Sequence, residues 1–375
     1  MLFFILLLCS SIYCGAEPLA FTPRRRFGHR AFLMDKVKVA IIGGSGYSGE
    51  ELLRILSRHP FVELTAVTSR ENAGKPVGEF FPRYAECPLK FIQPDVEEIA
   101  QLAEVVFLAL PNGLAGDYAK PLLEKGCKIV DISADFRLRD PAVYEKYYKK
   151  AHPAPDLIPQ AVYGLPELYR EEIRGARLIA NPGCYVTSIL LPATALLKAG
   201  VAEPEGIVAM SMSGVSGAGR KVALDYIFPE CNENLKPYGV VGHRHLPEIE
   251  QELAVAAGVP KVTMNFLPHL VPVNRGIHSS ILVTPKPGKA SAAAALEALH
   301  AAYDDEPFVR VLAPGKLAET KHVTLTNMCE IGCVYDERTN RLIISSAIDN
   351  LTKGASGQAV QNLNLMCGFP ETTAL

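Results

Sequence analysis

The chain lacks an excess of charge of either sign. It has 38 lysines and arginines against 40 aspartates and glutamates in 375 residues, which leaves a net charge of −2. Proteins that bind nucleic acid or an anionic membrane surface usually carry a basic patch or a strongly basic total charge. The composition therefore gives no reason to expect nucleic acid or a membrane as the partner.

Cysteines are present but lack any pattern of pairing. There are nine, an odd number, and they are scattered without the spacing of a metal site or a disulfide framework. Cys329 and Cys333 share one face of a predicted strand, but no further ligand lies near them, so a zinc site there is the weaker alternative. This usage is typical of a reducing compartment, and we expect a cytoplasmic protein.

Long hydrophobic runs are also missing. The apolar stretch 1–8 resembles the centre of a signal peptide, but it is too short to cross a bilayer and no basic residues precede it. A basic linker follows at 23–30, and the first fold-like residues come after Met34. We predict that residues 1–33 are an extension from a misassigned start codon or a targeting segment, outside the fold.

Two domains are the natural expectation for a chain of this length. No internal repeat or low-complexity segment is visible. Strand and helix patterns alternate in the first half, whereas after about residue 205 they are segregated. We predict that residues 34–183, completed by a C-terminal helix in 350–375, form one domain and that residues 184–349 form the other.

A glycine-rich turn between a strand and a helix gives the first sign of chemistry. Residues 36–42 predict a strand, and the apolar spacing over 50–58 predicts a helix. The glycines between them fit G-x-G-x-x-G from Gly44 or G-x-x-G-x-x-G from Gly43. In this setting they predict a dinucleotide site with the pyrophosphate at the helix N-terminus, against the alternative of a plain tight turn. The predicted contacts are Gly43, Ser45, Gly46, Tyr47, Ser48 and Gly49.

The end of the second strand indicates which dinucleotide is bound. Strand 62–68 is followed by Ser69 and Arg70, where an enzyme for NAD often has an acidic residue. No carboxylate repels a 2′-phosphate there, and Arg70 can pair with one. We predict NADP as the cofactor; the alternative for Arg70 is a solvated loop arginine.

Further buried strands are predicted at 105–110 and 128–133, with a helix at 114–125 between them. This alternation predicts an α/β fold with a Rossmann-type, doubly wound parallel sheet. Ligands of such sheets bind beyond the carboxyl ends of the strands. The turns expected there begin at Ser69, Pro111, Ser133 and Asn181.

Cys184 follows one of these strand ends. The motif Asn181-Pro182-Gly183 ends a short apolar strand, and helical spacing begins directly after the cysteine. Because N–H groups are unpaired and the dipole is positive at a helix start, we expect a lowered pKa for this thiol. A small buried hydrophobic residue is the alternative. Because Cys184 lies on the cofactor side of the sheet, we favour the first alternative, a nucleophile that faces the nicotinamide.

The second half of the chain predicts an α+β domain with a largely antiparallel sheet. Its expected strands are 206–212, 262–266, 277–284, 323–335 and 341–348, and its expected helices are 247–257 and 290–303. A flexible glycine-rich loop, 213–220, follows the first of these strands. Residues 354–367 predict a last helix, and residues 140–175 predict an irregular connection with short helices.

Two histidines, His243 and His245, precede one of the predicted helices. A nucleophilic thiol needs a proton acceptor near neutral pH, and histidine is the usual one. A metal is the weaker alternative, since no evident third ligand is present. His269 and His278 lie in strand patterns and are expected to be structural.

Together these residues indicate a narrow chemistry. No pattern supports a Ser-His-Asp enzyme or a glycoside hydrolase. A cysteine thiolate would attack an activated acyl group or an aldehyde, and hydride would move between the thioester and a nicotinamide. Arg137, after the strand at 128–133, is either an anion clamp in this site or a partner in a structural salt bridge.

With these features the sequence resembles the N-acetyl-gamma-glutamyl-phosphate reductase family of arginine biosynthesis, within the wider group that includes aspartate-semialdehyde dehydrogenase. The resemblance covers residues 36–375. The motifs that carry it are 43–49, 68–70, 73–75, 131–138, 181–187, 243–249, 268–270, 275–276 and 349–357. The chain departs from the family at Val186, where proline is common, and in the additional residues 1–33.

The resemblance implies roles for individual residues. It implies that Cys184 is acylated and that His245, or else His243, is the acid/base. It implies that Asn350 lies near the nicotinamide. The residues it implies as substrate contacts are Arg137, Ser213 and Arg220. The implied reaction is NADPH-dependent reduction of N-acetyl-L-glutamyl 5-phosphate to the 5-semialdehyde through a thioester, in a homodimer or homotetramer built through the catalytic and dimerisation domain 184–349.

Two alternatives stay open. An N-acetyl-aminoadipyl-phosphate reductase of lysine biosynthesis would use the same chemistry on a substrate one methylene longer, a difference worth only about 1–3 kcal/mol. A non-catalytic NADP-binding sensor would retain the fold, but the intact Cys184 and histidine pair disfavour it.

Overall fold

The computed structural model describes residues 35–375. The segment 1–33, for which we predict an extension or a targeting role, lies outside the described residues. Within residues 35–375, no helix is both long enough and apolar enough to cross a bilayer.

A seven-stranded sheet organises the first half of the chain. Its strands are β1 (Val37–Ile42), β2 (Val62–Thr68), β3 (Phe91–Ile92), β4 (Val105–Leu108), β5 (Lys128–Asp131), β6 (Ala161–Tyr163) and β7 (Leu178–Ala180). They lie in the order β3-β2-β1-β4-β5-β7-β6, and all neighbours are parallel. The predicted parallel sheet is confirmed. Since β2 and β4 flank β1, the strand order reverses at β1, where ligands of such sheets bind.

Helices cover both faces of this sheet. They are α1 (Tyr47–Leu56), α2 (Val77–Phe80), α3 (Val96–Leu102), α4 (Ala115–Glu124), α5 (Pro141–Tyr148) and α6 (Pro166–Arg174). Side chains alternate along β1, so that Val39 and Ile41 pack with α1. Ala40 and Ile42 face the other way and pack with α3 and α4. The sheet is therefore doubly wound.

A second seven-stranded sheet organises the other half. Its strands are β8 (Ile207–Gly214), β9 (Lys236–Pro237), β10 (Met264–Val271), β11 (Ile277–Val283), β12 (Val309–Val311), β13 (Cys329–Asp336) and β14 (Arg341–Ile348). Their order is β12-β13-β14-β11-β8-β10-β9. The pairs β8/β10 and β12/β13 are parallel and the other four are antiparallel. The predicted α+β arrangement with a largely antiparallel sheet is confirmed.

The main helices of the second half pack on one face of its sheet. The helices here are α7 (Cys184–Lys198), α8 (Phe228–Cys231), α9 (Leu246–Ala257), α10 (Ala292–Tyr303) and α11 (Thr320–Val323). Residues of α7, α9 and α10 share a core with β8, β11 and β14. Along β8, Ile207 and Ala209 are buried in that core, whereas Met210 and Met212 are exposed. The outer face of the sheet therefore presents large apolar side chains.

The C-terminal segment returns to the first sheet. A π-helical turn, Thr352–Ser356, leads into α12 (Gly357–Met366). Ala359, Val360 and Leu363 of α12 join the core that contains β1 and α1. The first and last elements of the described chain therefore pack together, and Lys36–Leu375 forms one compact unit.

Some predicted bounds are wrong. One strand over 323–335 does not form, because Leu325 has a left-handed backbone with a φ of 64° and its N–H binds the Asp349 carboxylate. The strand β13 therefore begins only at Cys329. The strand predicted at 262–266 is β10, which begins and ends later. The segment 140–175, predicted as irregular, also contains the edge strand β6.

Candidate active site

A cavity of about 910 Å³ lies beyond the carboxyl ends of β1, β4 and β5. Residues after β8 and before α9 also line it, so both sheets contribute to its wall. The predicted site residues in its lining are Gly43, Ser45, Gly46, Tyr47, Ser48, Gly49, Arg137, Cys184, Ser213, Arg220, His243, His245 and Asn350. Ser69 and Arg70 lie outside this lining. The fold therefore brings most of the predicted site into one cavity.

In the glycine turn after β1, neighbouring backbone atoms leave no room for a side chain at Gly43 or Gly49. A Cβ atom on Gly43 would collide with the Ala109 carbonyl group, and one on Gly49 would lie 2.6 Å from the Gly43 oxygen. Gly43 also has a φ of 91°, in the left-handed region that favours glycine. Gly46 is the N-cap of α1, and it has no side chain that could accept a hydrogen bond from the N–H groups of the first turn. The first-turn N–H groups of α1 are therefore free to bind an anion.

The serine and arginine after β2 differ in their surroundings. Ser69 is buried, and its hydroxyl donates to Ser45 Oγ of the glycine turn at 3.1 Å. Arg70 is exposed, and its guanidinium donates to the Tyr118 hydroxyl at 3.1 Å. Ser69 therefore lies at the glycine turn, whereas Arg70 lies on the surface beyond it.

Cys184 is the first residue of α7, where the sequence places it. The preceding Asn181 is buried, and its backbone N–H donates to the Asp131 carbonyl at 2.8 Å. Its side-chain amide donates to the Ala355 carbonyl at 3.1 Å. These bonds hold the turn after β7, with Gly183 as the N-cap of α7. Cys184 keeps a partly exposed surface that borders the cavity.

The prediction of a lowered Cys184 pKa is wrong. Burial of the sulfur raises the pKa to about 11. The Tyr185 N–H group and the Arg137 guanidinium lower it, but by less. Loss of solvent around the thiol therefore outweighs the helix N-terminus. The thiol form dominates at neutral pH, so a base must take the proton when the sulfur reacts.

His245 lies against the turn that carries the cysteine. It is the N-cap of α9, and a Cβ atom on Gly183 would lie 2.5 Å from His245 Nε2. Its Nδ1 is buried and has no hydrogen-bond partner among residues 35–375. Burial lowers the pKa of His245 well below 6.5, and His243 and two arginines lower it further. The imidazole is therefore neutral at pH 7 and able to accept a proton.

His243 is held by a backbone contact. Its Nδ1 accepts a hydrogen bond from the His245 backbone N–H at 3.1 Å. Its ring packs edge-on against the rings of Tyr185 and Phe266. Burial first, and then Arg244, lowers the pKa of His243 to about 4. Nδ1 of His243 already accepts this hydrogen bond, so it is not available to take the thiol proton. The geometry therefore favours His245 as the proton acceptor.

Sequence reasoning missed Glu248, a buried carboxylate on α9. It accepts a hydrogen bond from the Gly183 N–H at 3.0 Å and another from the Tyr163 hydroxyl at 2.8 Å. Glu248 therefore ties the helix that follows His245 to the turn that precedes Cys184. Its spacing of three residues from His245 places both on one side of a helical turn, a signal that could have identified it.

Arg137 is buried, and protein groups occupy its donors. Its Nε donates to the Asn181 carbonyl at 2.7 Å, and its Nη2 donates to the Ile132 carbonyl at 2.7 Å. Its Nη1 lies 3.5 Å from Glu248 Oε2. Of the two roles that the sequence leaves open, the structural salt bridge is present. Arg137 also lines the cavity, and its contact with a substrate stays a prediction.

Asn350 joins two loops beside the cavity. Its side-chain oxygen accepts a hydrogen bond from the Gly276 N–H at 2.8 Å, and its amide donates to Ser216 Oγ at 3.0 Å. Ser213 lies in the same wall, and its hydroxyl donates to the carbonyl of the next residue at 3.0 Å. Both side chains are therefore held in place at the cavity by protein contacts.

Arg220 connects the loop after β8 with α1. Its Nη2 lies 2.6 Å from Glu50 Oε2, and its guanidinium carbon lies 4.6 Å from the centroid of the Tyr47 ring. An arginine at this distance is attracted to the face of the ring. Because the guanidinium already has a carboxylate partner, contact of Arg220 with a substrate stays a prediction.

The other histidines lie away from the cavity lining. His269 and His278 are in β10 and β11, and one ring nitrogen of each is 3.0 Å from a neighbouring oxygen. Cys329 and Cys333 are buried in β13 as free thiols. Over the part of the chain that the structure describes, no three His, Cys, Asp or Glu side chains group as a metal site.

Two family models match the chain. Residues 38–176 match the NAD binding domain of semialdehyde dehydrogenases, and residues 184–350 match the semialdehyde dehydrogenase dimerisation domain. The second match supports oligomerisation.

Curated relatives match over nearly the same length. The N-acetyl-gamma-glutamyl-phosphate reductase of Akkermansia muciniphila is 55% identical over 346 residues, which cover 91% of this chain and 99% of that protein. Proteins of the same name from Citrifermentans bemidjiense and Moorella thermoacetica are each 50% identical, over 90% of this chain and 98% of theirs.

Solved structures of aspartate semialdehyde dehydrogenases share the fold. Aspartate semialdehyde dehydrogenase II of Vibrio cholerae has a TM-score of 0.67 at 18% identity, over 89% of this chain and 99% of that chain. The enzyme of Candida albicans, solved with NADP, has a TM-score of 0.65 at 17% identity, over 88% of this chain and 99% of that chain. At these identities the likeness concerns the fold alone.

Proposed function

Because the chain belongs to the N-acetyl-gamma-glutamyl-phosphate reductase family, we propose that it reduces N-acetyl-L-glutamyl 5-phosphate to N-acetyl-L-glutamate 5-semialdehyde in arginine biosynthesis. It is an oxidoreductase of the semialdehyde dehydrogenase type. The observation that carries the proposal is that Cys184, His245 and the glycine turn 43–49 line one cavity.

The residues at one end of the cavity fit NADP. The uncapped start of α1 and the close-packed Gly43 and Gly49 form a cradle for a pyrophosphate. We assign Ser69 and Arg70 to the phosphorylated ribose and Asn350 to the nicotinamide end. When bound as NADPH, the cofactor supplies the hydride that reduces the thioester.

The Cys184 thiol and the neutral His245 begin the reaction. As the sulfur attacks the acyl carbon, His245 accepts the thiol proton and passes it to the departing phosphate, which leaves a thioester on Cys184. The raised pKa of Cys184 keeps the proton on sulfur until attack, and the lowered pKa of His245 keeps the base unprotonated. After reduction the carbon–sulfur bond breaks, the aldehyde leaves, and the thiolate recovers a proton from solvent through His245.

Neighbouring groups position these two side chains. Glu248 binds the Gly183 N–H and lies beside Arg137, so we assign both to holding the Cys184 turn against the histidine. The remaining predicted substrate contacts are Ser213, Arg220 and Arg137, all of which line the cavity. Their part in holding the acyl phosphate is a proposal that rests on their place in the cavity wall.

The proposal includes the organisation of the whole enzyme. Residues 34–183 with 350–375 form the NADP-binding domain, and residues 184–349 form the catalytic and dimerisation domain of a homodimer or homotetramer. The exposed Met210 and Met212 on the outer face of the second sheet support this use of the second domain. The free thiols of the seven described cysteines support a cytoplasmic location.

An assay in the reverse direction tests the substrate. NADP reduction is followed with inorganic phosphate and either N-acetyl-glutamate 5-semialdehyde or N-acetyl-aminoadipate semialdehyde. We expect turnover that requires phosphate and favours the glutamate compound. A preference for the longer aldehyde would instead assign the enzyme to lysine biosynthesis.

The variant Cys184→Ser tests the thioester. It should bind NADPH as the native enzyme does, because the glycine turn is unchanged, and it should lose turnover. Retained turnover in this variant would overturn the mechanism. A native protein that binds NADPH but turns over neither semialdehyde would be a sensor and not an enzyme.

A further inference from the structure

We propose that Arg244 binds the α-carboxylate of the substrate and so selects an N-acyl amino acid over an uncharged aldehyde. This inference rests on the proposed function, because it assigns a second anionic group of that substrate. The acyl phosphate and the α-carboxylate lie at opposite ends of the substrate's carbon chain, so each needs its own partner in the cavity.

Arg244 lies in the wall that carries the proton acceptor. It stands between His243 and His245 in the chain, and all three residues line the cavity. Its guanidinium carbon lies 5.7 Å from the centroid of the Tyr148 ring, and the Tyr148 hydroxyl donates to its backbone carbonyl at 3.4 Å. The aromatic ring supports the guanidinium, which reduces the side-chain freedom lost when an anion binds.

Most other cations of the cavity already have anionic partners. Arg137 pairs with Glu248, Arg220 pairs with Glu50, and Lys236 pairs with Asp225. Among residues 35–375, the cavity-lining cations outside every ion pair are Arg244 and Lys221. Because the paired arginines Arg137 and Arg220 are the proposed contacts of the acyl phosphate, an unpaired cation is available for the second anionic group of the substrate. The planar fork of arginine matches a carboxylate by two parallel hydrogen bonds, which a lysine cannot make.

The position of Arg244 also couples binding to the base. Its positive charge contributes to the lowered pKa values of His243 and His245. A carboxylate on Arg244 would neutralise that charge, so the imidazole of His245 would become a stronger proton acceptor when the correct substrate is bound.

The test compares two aldehydes that differ in one group. N-acetyl-glutamate 5-semialdehyde has the carboxylate, and 4-acetamidobutanal has the same chain without it. Both are assayed with NADP and phosphate, in the native enzyme and in Arg244→Ala. We expect the variant to lose roughly 10- to 100-fold in kcat/KM for the first aldehyde, as for a lost charged hydrogen bond. For the second aldehyde kcat/KM should not fall, because this aldehyde has no carboxylate to lose contact with and removal of the Arg244 charge makes His245 a stronger proton acceptor.

Controls separate the carboxylate from other causes. Arg244→Lys keeps the positive charge but cannot make two parallel hydrogen bonds to a carboxylate. It should therefore recover only part of the lost kcat/KM for N-acetyl-glutamate 5-semialdehyde. Arg58→Ala removes an exposed arginine outside the cavity lining and should change neither aldehyde's kinetics. Equal losses for both aldehydes in Arg244→Ala would overturn the proposal, and so would a raised KM for phosphate with an unchanged KM for the semialdehyde.

Failure of the proposed function gives a different result. If the native enzyme turns over neither aldehyde, the proposed reaction is wrong. If it turns over N-acetyl-glutamate 5-semialdehyde and Arg244→Ala does so equally well, only the assignment of Arg244 is wrong.

Discussion

Burial sets the protonation of the two reacting side chains in opposite directions. It raises the pKa of the Cys184 thiol to about 11 and lowers that of His245 well below 6.5. Near pH 7 both groups are therefore neutral before substrate binds. Such a pair protects the sulfur from unwanted reactions, since the thiolate forms only when the base and an acyl carbon are both in place.

The raised pKa predicts slow alkylation of Cys184 in the cofactor-free protein. At pH 7 only about one thiol in ten thousand is ionised, and the iodoacetamide rate should rise about tenfold per pH unit until the pKa of about 11 is approached. Mass spectrometry of the Cys184 peptide measures the rate. The urea-unfolded protein is the control and should level off near pH 8.5 to 9. A plateau below pH 8 in the folded protein would contradict the assigned pKa.

Gly183 gives a second prediction at the scale of single residues. Because its Cβ would lie 2.5 Å from His245 Nε2, Gly183→Ala must displace the imidazole or the Cys184 turn. We expect kcat to fall by roughly 100-fold, as for other misplacements of about 1 Å in an active site. NADPH binding should be unchanged. Gly175→Ala, where the nearest atom lies 3.9 Å away, is the matched control, and equal activity in both variants would refute the argument.

Single residues show where sequence reasoning succeeds. Cys184 could be placed at a helix start beside the cofactor because strand ends, turn residues and helical spacing are local patterns. The direction of its pKa shift could not be predicted, because burial depends on distant groups such as the Gly354 backbone, where a Cβ would lie 2.9 Å from Cys184 Cβ. Glu248 was missed for a similar reason, since its partners Gly183 and Tyr163 are far from it in the chain.

Among the elements, the glycine turn and α1 depend most strongly on residue type. A Cβ on Gly49 would lie 2.6 Å from the Gly43 oxygen, so Gly49→Ala must push α1 away from β1. We expect a lowered melting temperature and an NADPH Kd raised by at least about tenfold, since the N–H groups of the first turn would move. The chain has no tryptophan, so calorimetry or the fluorescence of NADPH itself is the suitable measurement.

Gly46→Ala is the control for Gly49→Ala within the same turn. The nearest atom to a Cβ on Gly46 is 3.8 Å away, so the turn itself tolerates the methyl group. This variant should keep the native melting temperature. If it melts as low as Gly49→Ala, then close packing within the turn does not explain the effect.

The elements also show which bounds a sequence can predict. Strands 62–68 and 341–348 were predicted with their observed ends, because β-branched runs stop there at turn residues. The start of β13 was not, because Val323 and Leu325 alternate with threonines as in a strand, whereas a short helix ends at Val323 and the Asp349 carboxylate, from a later segment, binds the Leu325 N–H. A long-range hydrogen bond of this kind leaves no local pattern.

At the scale of the whole molecule, one ion pair fastens the C-terminal segment to α6. Lys353 Nζ lies 2.6 Å from Glu167 Oε1, and both side chains are fully buried. Lys353→Met would leave the Glu167 carboxylate buried without its cation, and we expect the free energy of unfolding to fall by about 3–5 kcal/mol. Urea unfolding followed by circular dichroism measures the change.

An exposed pair supplies the matched control. Lys321 and Glu319 form an ion pair whose side chains are 70% and 53% exposed. Lys321→Met should change the free energy of unfolding by less than about 1 kcal/mol. Equal effects of Lys321→Met and Lys353→Met would mean that the buried pair does not fasten the C-terminal segment.

The return of α12 to the first sheet has a consequence for synthesis of the protein. β1 is translated well before α12, yet Val39, Ile41 and Leu363 share one core. The nucleotide-binding half therefore stays unfinished, with apolar surface open to chaperones and proteases, until α12 has been translated. A frameshift or premature stop after residue 350 would consequently disable cofactor binding at the glycine turn 43–49.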